Sequence, residues 1–226
     1  MGALVEGVWQ EDVPHNILGG RFMRRESQFR GWVTADGAPG PSGEGGFRAA
    51  PGRYHLYVSL SCPWAHRTFI FRKLKGLEGL VSVSAAGWDN RAEGWTFAPG
   101  PGVIPDPVNG VRLLHEVYTT AKPTYTGRVT VPVLWDRERR RIVNNESSEI
   151  IRMFNSAFDG VGAAPGDYYP GELRAEIDAV NTRVFETLNN GVYRCGFATS
   201  QEAYDEAVVP LFETLDWMEE RLAKRR

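Results

Sequence analysis

Cys62 is the residue best placed to do chemistry. It stands in SLSCPWAHR (Ser59–Arg67), between the apolar run YHLYV (Tyr54–Val58) and TFIFRKL (Thr68–Leu74). A thiol where a strand ends and a helix begins faces unpaired backbone N–H groups and the positive end of the helix dipole, which favour thiolate. Pro63 suits the first helical position, and Arg67 adds positive charge nearby. Ala65 occupies the place of a second thiol. Dithiol chemistry within this helix is therefore excluded, and a resolving thiol is expected from a small molecule. Cys195 is the other cysteine, and the two read as separate thiols rather than a bridge. His66 shares the helix face of Cys62. A surface or packing role is expected for it, with a thiolate–imidazolium pair as the alternative. The four histidines and two cysteines show no metal-ligand spacing, so no metal is expected.

Three further stretches could handle a ligand. Val131-Pro132 reads as an ordinary strand start. In a thioredoxin-like context the same proline would be cis and opposite the cysteine, with Val131 backbone groups open to an extended, peptide-like ligand. Glu146-Ser147 opens a helix, where a hydroxyl and free N–H groups suit a carboxylate and Glu146 suits an ammonium. That pair fits an α-amino acid end, such as the γ-glutamyl group of glutathione; ordinary capping is the other reading. Tyr193, in NGVYRCGF (Asn190–Phe197), reads either as a packed tyrosine or as a proton donor.

The elements that must position these residues follow from the pattern. Residues 1–53 read as an N-terminal arm, with GAPGPSGEGG (Gly37–Gly46) free of regular structure. Residues 54–160 read as one domain. Tyr54–Ser59 and Leu80–Ser84 suit parallel strands around a helix over 64–75 closed by Gly76. Thr130–Trp135 and Arg141–Asn144 suit a hairpin, followed by a helix. Between them, residues 87–127 hold six Gly and five Pro and read as an insertion. The order β-α-β, insertion, β-β-α is thioredoxin-like, an α/β class with a mixed sheet. Residues 168–226 read as all-helical. Leu173 to Leu188 form one face stopped by Asn189-Asn190-Gly191. Thr199 and Glu202 offer a capping box for a last helix that Pro210 is expected to kink or interrupt. A net charge of −2 gives no argument for nucleic acid or an anionic membrane. No apolar run approaches the roughly 20 residues of a membrane helix. The start MGALVEG lacks signal-peptide character, so a cytoplasmic location is expected.

SCPWAHR (Ser61–Arg67), RVTVPVLWD (Arg128–Asp136) and IVNNESSEII (Ile142–Ile151), with GWV (Gly31–Val33) and NNGVYRCGFA (Asn189–Ala198), resemble the glutathionyl-hydroquinone reductases. These are the xi class of glutathione transferases. The resemblance runs from about residue 22 to the end. It implies a thioredoxin-like domain followed by an all-α domain, and reduction of glutathionyl-hydroquinones with release of glutathione disulfide. Glutathione would be a co-substrate, with no tightly bound cofactor. Cys62 would be the nucleophile and Tyr193 the proton donor or acceptor. Trp95 would lie over glutathione, and Arg128, Val129, Thr130, Val131, Glu146 and Ser147 would bind it. The alternatives are an omega-like thioltransferase or dehydroascorbate reductase, or a truncated, weakly active or inactive glutathione-binding remnant. Relatives are expected to continue past LDWMEERL (Leu215–Leu222) through most of a helical domain carrying further tyrosines and much of a homodimer interface. On that expectation Val208, Leu211, Leu215, Met218 and Leu222 would be incompletely covered and turnover would be poor or absent.

Overall fold

The computed structural model describes residues 2–90 and 92–224. Met1, Arg91, Arg225 and Arg226, which fall in the expected arm, insertion and helical domain, lie outside the described residues. In chain order the strands and helices are β1 (Ala3–Val5), β2 (Val8–Gln10), β3 (Ile17–Leu18), β4 (Arg21–Phe22), β5 (Tyr54–Ser59), α1 (Pro63–Leu74), β6 (Val81–Ala86), α2 (Leu114–Ala121), β7 (Val133–Asp136), β8 (Arg141–Asn144), α3 (Ser147–Ser156), α4 (Arg174–Val184), α5 (Gly191–Gly196) and α6 (Gln201–Lys224). Contacts divide the chain into two units. One comprises residues 1–13 and 27–168, the other residues 14–26 and 169–226.

The first unit is built on a four-stranded sheet of order β6-β5-β7-β8. β5 runs parallel to β6 and antiparallel to β7, and β7 pairs antiparallel with β8. This is the thioredoxin-like arrangement, and it explains the β5 sequence. Tyr54, Leu56, Tyr57 and Val58 are all buried because both faces of a central strand are covered. α1 packs against α3. At its C-terminal end α1 closes on Gly76, which takes the left-handed conformation (φ 59°) that glycine adopts without a Cβ clash. Lys75, fully buried, donates from Nζ to Asp159 (2.9 Å) and the Gly166 carbonyl (2.7 Å). His55 of β5 lies between Ser82 Oγ (2.6 Å from Nδ1) and Ser84 Oγ (2.9 Å from Nε2), and burial holds its pKa down to about 4.

Two expectations change here. The arm is not merely loop: β1 and β2 form a hairpin, and Leu4, Val33 and Phe47 are wholly buried in the core of this unit. These apolar residues are too scattered to give a period, while Gly and Pro between them signal loop. The insertion contains a helix, α2, whose Leu114, Val117 and Tyr118 are buried. Glu116 caps it by accepting from the Arg112 (3.1 Å) and Leu113 (3.3 Å) amides. The Gly and Pro runs of residues 87–111 mask this helix in composition.

In the second unit α4 does not stop at Asn189-Asn190-Gly191. A π turn over Phe185–Asn189 carries the chain into α5, and Asn190 keeps right-handed backbone angles. α6 runs uninterrupted through Pro210. Its start is capped by Ser200, whose Oγ accepts from the Ala203 amide (3.2 Å), rather than by a Thr199–Glu202 box. Its buried face is Ala203, Ala207, Leu211 and Thr214. Of the expected stripe, Leu211 is buried whereas Leu215 and Leu222 are exposed. No described helix is long and apolar enough to cross a membrane.

Candidate functional site

The end of β5 delivers Cys62 to the N-cap of α1. The Cys62 amide donates to the Ser59 carbonyl (3.1 Å), closing the turn, and its own carbonyl accepts the first helical bond, from the His66 amide (2.9 Å). Pro63 opens the helix, where a missing N–H costs nothing. Cys62 is half-buried, and its Sγ makes no bond to the helix amides. It donates instead to the Val131 carbonyl at 3.6 Å. That contact belongs to the thiol form, since a thiolate has no proton to donate. His66 is exposed. Cys62 and Cys195 are both thiols, and among the described residues no cluster of three His, Cys, Asp or Glu forms a metal site.

The segment facing Cys62 is held from behind. The Val131-Pro132 peptide is cis. Tyr118 of α2 donates its phenol proton to the Thr130 carbonyl (2.9 Å), and the phenol oxygen accepts from the Thr130 amide (3.2 Å) and from Asn145 Nδ2 (3.3 Å). Burial raises the Tyr118 pKa, so the phenol keeps its proton. The Val131 amide has no acceptor among the described residues. Val129 is buried. The Arg128 guanidinium reaches the carbonyls of Gly2 (3.0 Å) and Val13 (2.6 Å), and so ties the arm down. Trp95 precedes α2 and accepts from the Leu114 amide (2.9 Å), with its side chain partly buried against the core.

The start of α3 combines capping with open polar capacity. Glu146 is the N-cap; Oε1 accepts from the Ser148 amide (3.2 Å) and hydroxyl (2.9 Å), and Oε2 from Ser27 Oγ (3.2 Å). An ionised carboxylate offers about four acceptor positions, so capping leaves room on Oε2 for one more donor. Ser147 Oγ accepts from Arg67 Nε (3.0 Å) and Nη2 (2.7 Å). The same Nη2 lies 3.7 Å from Glu146 Oε1. Burial lowers the Arg67 pKa, with Glu146 opposing, yet a guanidinium stays charged. The sequence reading missed this link, since it placed Arg67 only as charge near Cys62. It also missed Tyr118, for which the sequence carries no signal. Structure thus joins Cys62 to Val131, and Arg67 to Glu146-Ser147. Tyr193 belongs to the second unit, on α5. There its ring is half-buried under the Arg24 guanidinium (4.6 Å) and beside Phe22.

The glutathione S-transferase N-terminal domain family matches residues 61–157, which span α1 through α3. Over all 226 residues the chain is 59% identical to the glutathionyl-hydroquinone reductase PcpF of Sphingobium chlorophenolicum, of which it covers 69%. It belongs to the glutathionyl-hydroquinone reductases, the xi class of glutathione transferases. A second reductase of this family, YqjG of Escherichia coli, is 55% identical and is covered over 70% of its length. The glutathione-bound structure of YqjG superposes with a TM-score of 0.89 at 53% identity, over 100% of this chain and 68% of that one. The family consists of enzymes with a glutathione-dependent function, and glutathione is the co-substrate.

Proposed function

We propose that the chain reduces glutathionyl-hydroquinones to hydroquinones through Cys62. The thiolate attacks the glutathionyl sulfur of the aryl thioether. A Cys62–glutathione disulfide forms as the carbon–sulfur bond breaks, and the ring carbon takes a proton, for which Tyr193 is the proposed donor. The thiolate of a second glutathione attacks the mixed disulfide, releasing glutathione disulfide and restoring Cys62. One glutathione is consumed and one hydroquinone and one glutathione disulfide leave per cycle. The observation that carries this reading is the half-buried Cys62 thiol at the start of α1, 3.6 Å from the Val131 carbonyl. Because Ala65 stands where a resolving thiol of this helix would be, the second thiol is assigned to a small molecule, the second glutathione.

Glutathione binding is assigned to Val131, whose amide is open to a peptide-like ligand, and to Glu146-Ser147, which suit the γ-glutamyl zwitterion. Trp95 is the proposed cover, and Arg128, Val129 and Thr130 form the supporting segment. The bound partners are glutathione and the aromatic thioether. The test is turnover of a glutathionyl-hydroquinone by the purified chain, with hydroquinone and glutathione disulfide both quantified. Equal amounts of the two products are expected. Faster reduction of a simple mixed disulfide or dehydroascorbate would favour the omega-like activity. Glutathione binding without turnover would overturn the reductase assignment for this chain.

A further inference from the structure

Arg67 sits on α1 five residues after Cys62, yet its guanidinium belongs to the start of α3. Nε and Nη2 both donate to the single oxygen of Ser147, at 3.0 and 2.7 Å. A serine hydroxyl has two acceptor positions and one proton. Two N–H groups on that oxygen fill the acceptor positions, so Ser147 presents its O–H only as a donor. The Ser147 amide N–H also has no acceptor among the described residues. Ser147 is 3% exposed, so both donors are largely withdrawn from water and call for an acceptor. Neighbouring Glu146 has one acceptor position left on Oε2 (the others cap α3 and hold Ser27). Two donors beside a residual carboxylate acceptor are complementary to a carboxylate and an ammonium on one carbon.

We propose that Arg67 is a positioning residue for glutathione. By occupying the acceptor side of Ser147 Oγ, it fixes the hydroxyl proton as a donor to the γ-glutamyl α-carboxylate, from the same helix that carries Cys62. This rests on the γ-glutamyl reading of Glu146-Ser147. Arg67 itself does not touch the ligand. A lysine at this position keeps the charge but lacks the planar fork that puts two N–H groups on one oxygen. Ser147 could then rotate to accept as well as donate, and its value to a carboxylate falls.

The experiment uses the Cys195→Ala chain and follows thiolation of Cys62 by intact mass. The oxidants are glutathione disulfide and the disulfide of cysteinylglycine, which lacks the γ-glutamyl group. In either case the Cys62 thiolate attacks one sulfur and forms a new protein disulfide. The displaced thiolate takes up the proton that Cys62 gave to solvent. Arg67→Lys and Ser147→Ala are each expected to lower the second-order rate constant for glutathione disulfide by about 5- to 10-fold. The cysteinylglycine rate should stay within about twofold, and Arg67→Lys should add little in the Ser147→Ala background. Arg67→Gln, which has a single terminal amide, is the second variant, and thermal melts accompany all of them. Equal slowing with both disulfides would assign Arg67 to α1 packing and overturn the proposal. So would no slowing in either Arg67 variant while Ser147→Ala selectively loses glutathione disulfide. If Ser147→Ala itself spares the glutathione disulfide rate, the γ-glutamyl reading fails, and the Arg67 proposal fails with it.

Discussion

Cys62 and Cys195 sit at opposite kinds of helix end. Cys62 is the N-cap of α1, beside amides that no earlier turn has used. Cys195 lies in the last turn of α5, where the free backbone groups are carbonyls, and burial pushes its thiol pKa up. Both side chains are half-buried. Exposure therefore does not distinguish them; the sign of the surrounding backbone does. A helix start stabilises negative charge on sulfur and a helix end opposes it. This contrast supports the proposal that exchange chemistry belongs to Cys62 rather than to Cys195.

Exchanging each cysteine for alanine gives the largest contrast. Cys62→Ala is expected to lower hydroquinone release on the order of a thousandfold or more, as loss of a nucleophile does. Cys195→Ala should stay near the parent rate. Comparable losses in both would erase the distinction.

Acid should strike the platform of Cys62 through β5. His55 has a pKa held near 4 by burial between Ser82 and Ser84, with Asp106 partly opposing. Its ordinary value is about 6.5. Between these values the unfolded chain binds a proton that the folded chain refuses. Stability is therefore lost as pH falls from about 6.5 towards 4, by roughly 2–4 kcal/mol in total. Denaturant titrations at pH 7.5 and 4.5 measure this. His55→Asn should flatten the pH dependence, although it costs stability at neutral pH.

At the start of α3, Glu146→Gln and Ser147→Ala should each weaken glutathione binding by about 1–3 kcal/mol, the worth of a charge-assisted contact. Calorimetric titration reads this directly. Unchanged affinities in both would leave only the capping role, which the Glu146 bond to the Ser148 amide already fulfils. The smallest effect concerns Cys195 alone. In the Cys62→Ala chain its alkylation profile should be displaced to higher pH than that of an unstructured thiol, because a raised pKa leaves less thiolate at any given pH. A profile at or below the unstructured one would break the contrast from the other side.

Much of this was legible in local signals. A strand-like run, Cys62-Pro63 and a helix pattern located the α1 start to within one residue, since N-cap and first-turn preferences depend on neighbours in sequence. Glu146-Ser147 was legible for the same reason. Long-range pairing was not. Arg67 reaching Ser147, and Tyr118 holding Thr130 and Asn145, depend on how helices are laid on the sheet, which spacing does not encode. The helix α2 was hidden by the glycines and prolines before it. Asn189-Asn190-Gly191 looked like a stop because Asn and Gly tolerate left-handed backbone, but Asn190 and the turn before it stay right-handed. Pro210 does not interrupt the 24-residue helix α6, as tertiary context often overrides propensity.

The central claim is that Cys62 takes the glutathionyl group from the substrate. A single-turnover experiment tests it most directly. The chain is mixed with a stoichiometric amount of glutathionyl-hydroquinone and no free glutathione, then quenched in acid, and protein mass and hydroquinone are measured together. The expected result is one glutathionyl adduct mapped to Cys62, with an equal amount of hydroquinone released and the adduct removed by added glutathione. Hydroquinone released from unmodified protein, or an adduct on Cys195, would contradict the account.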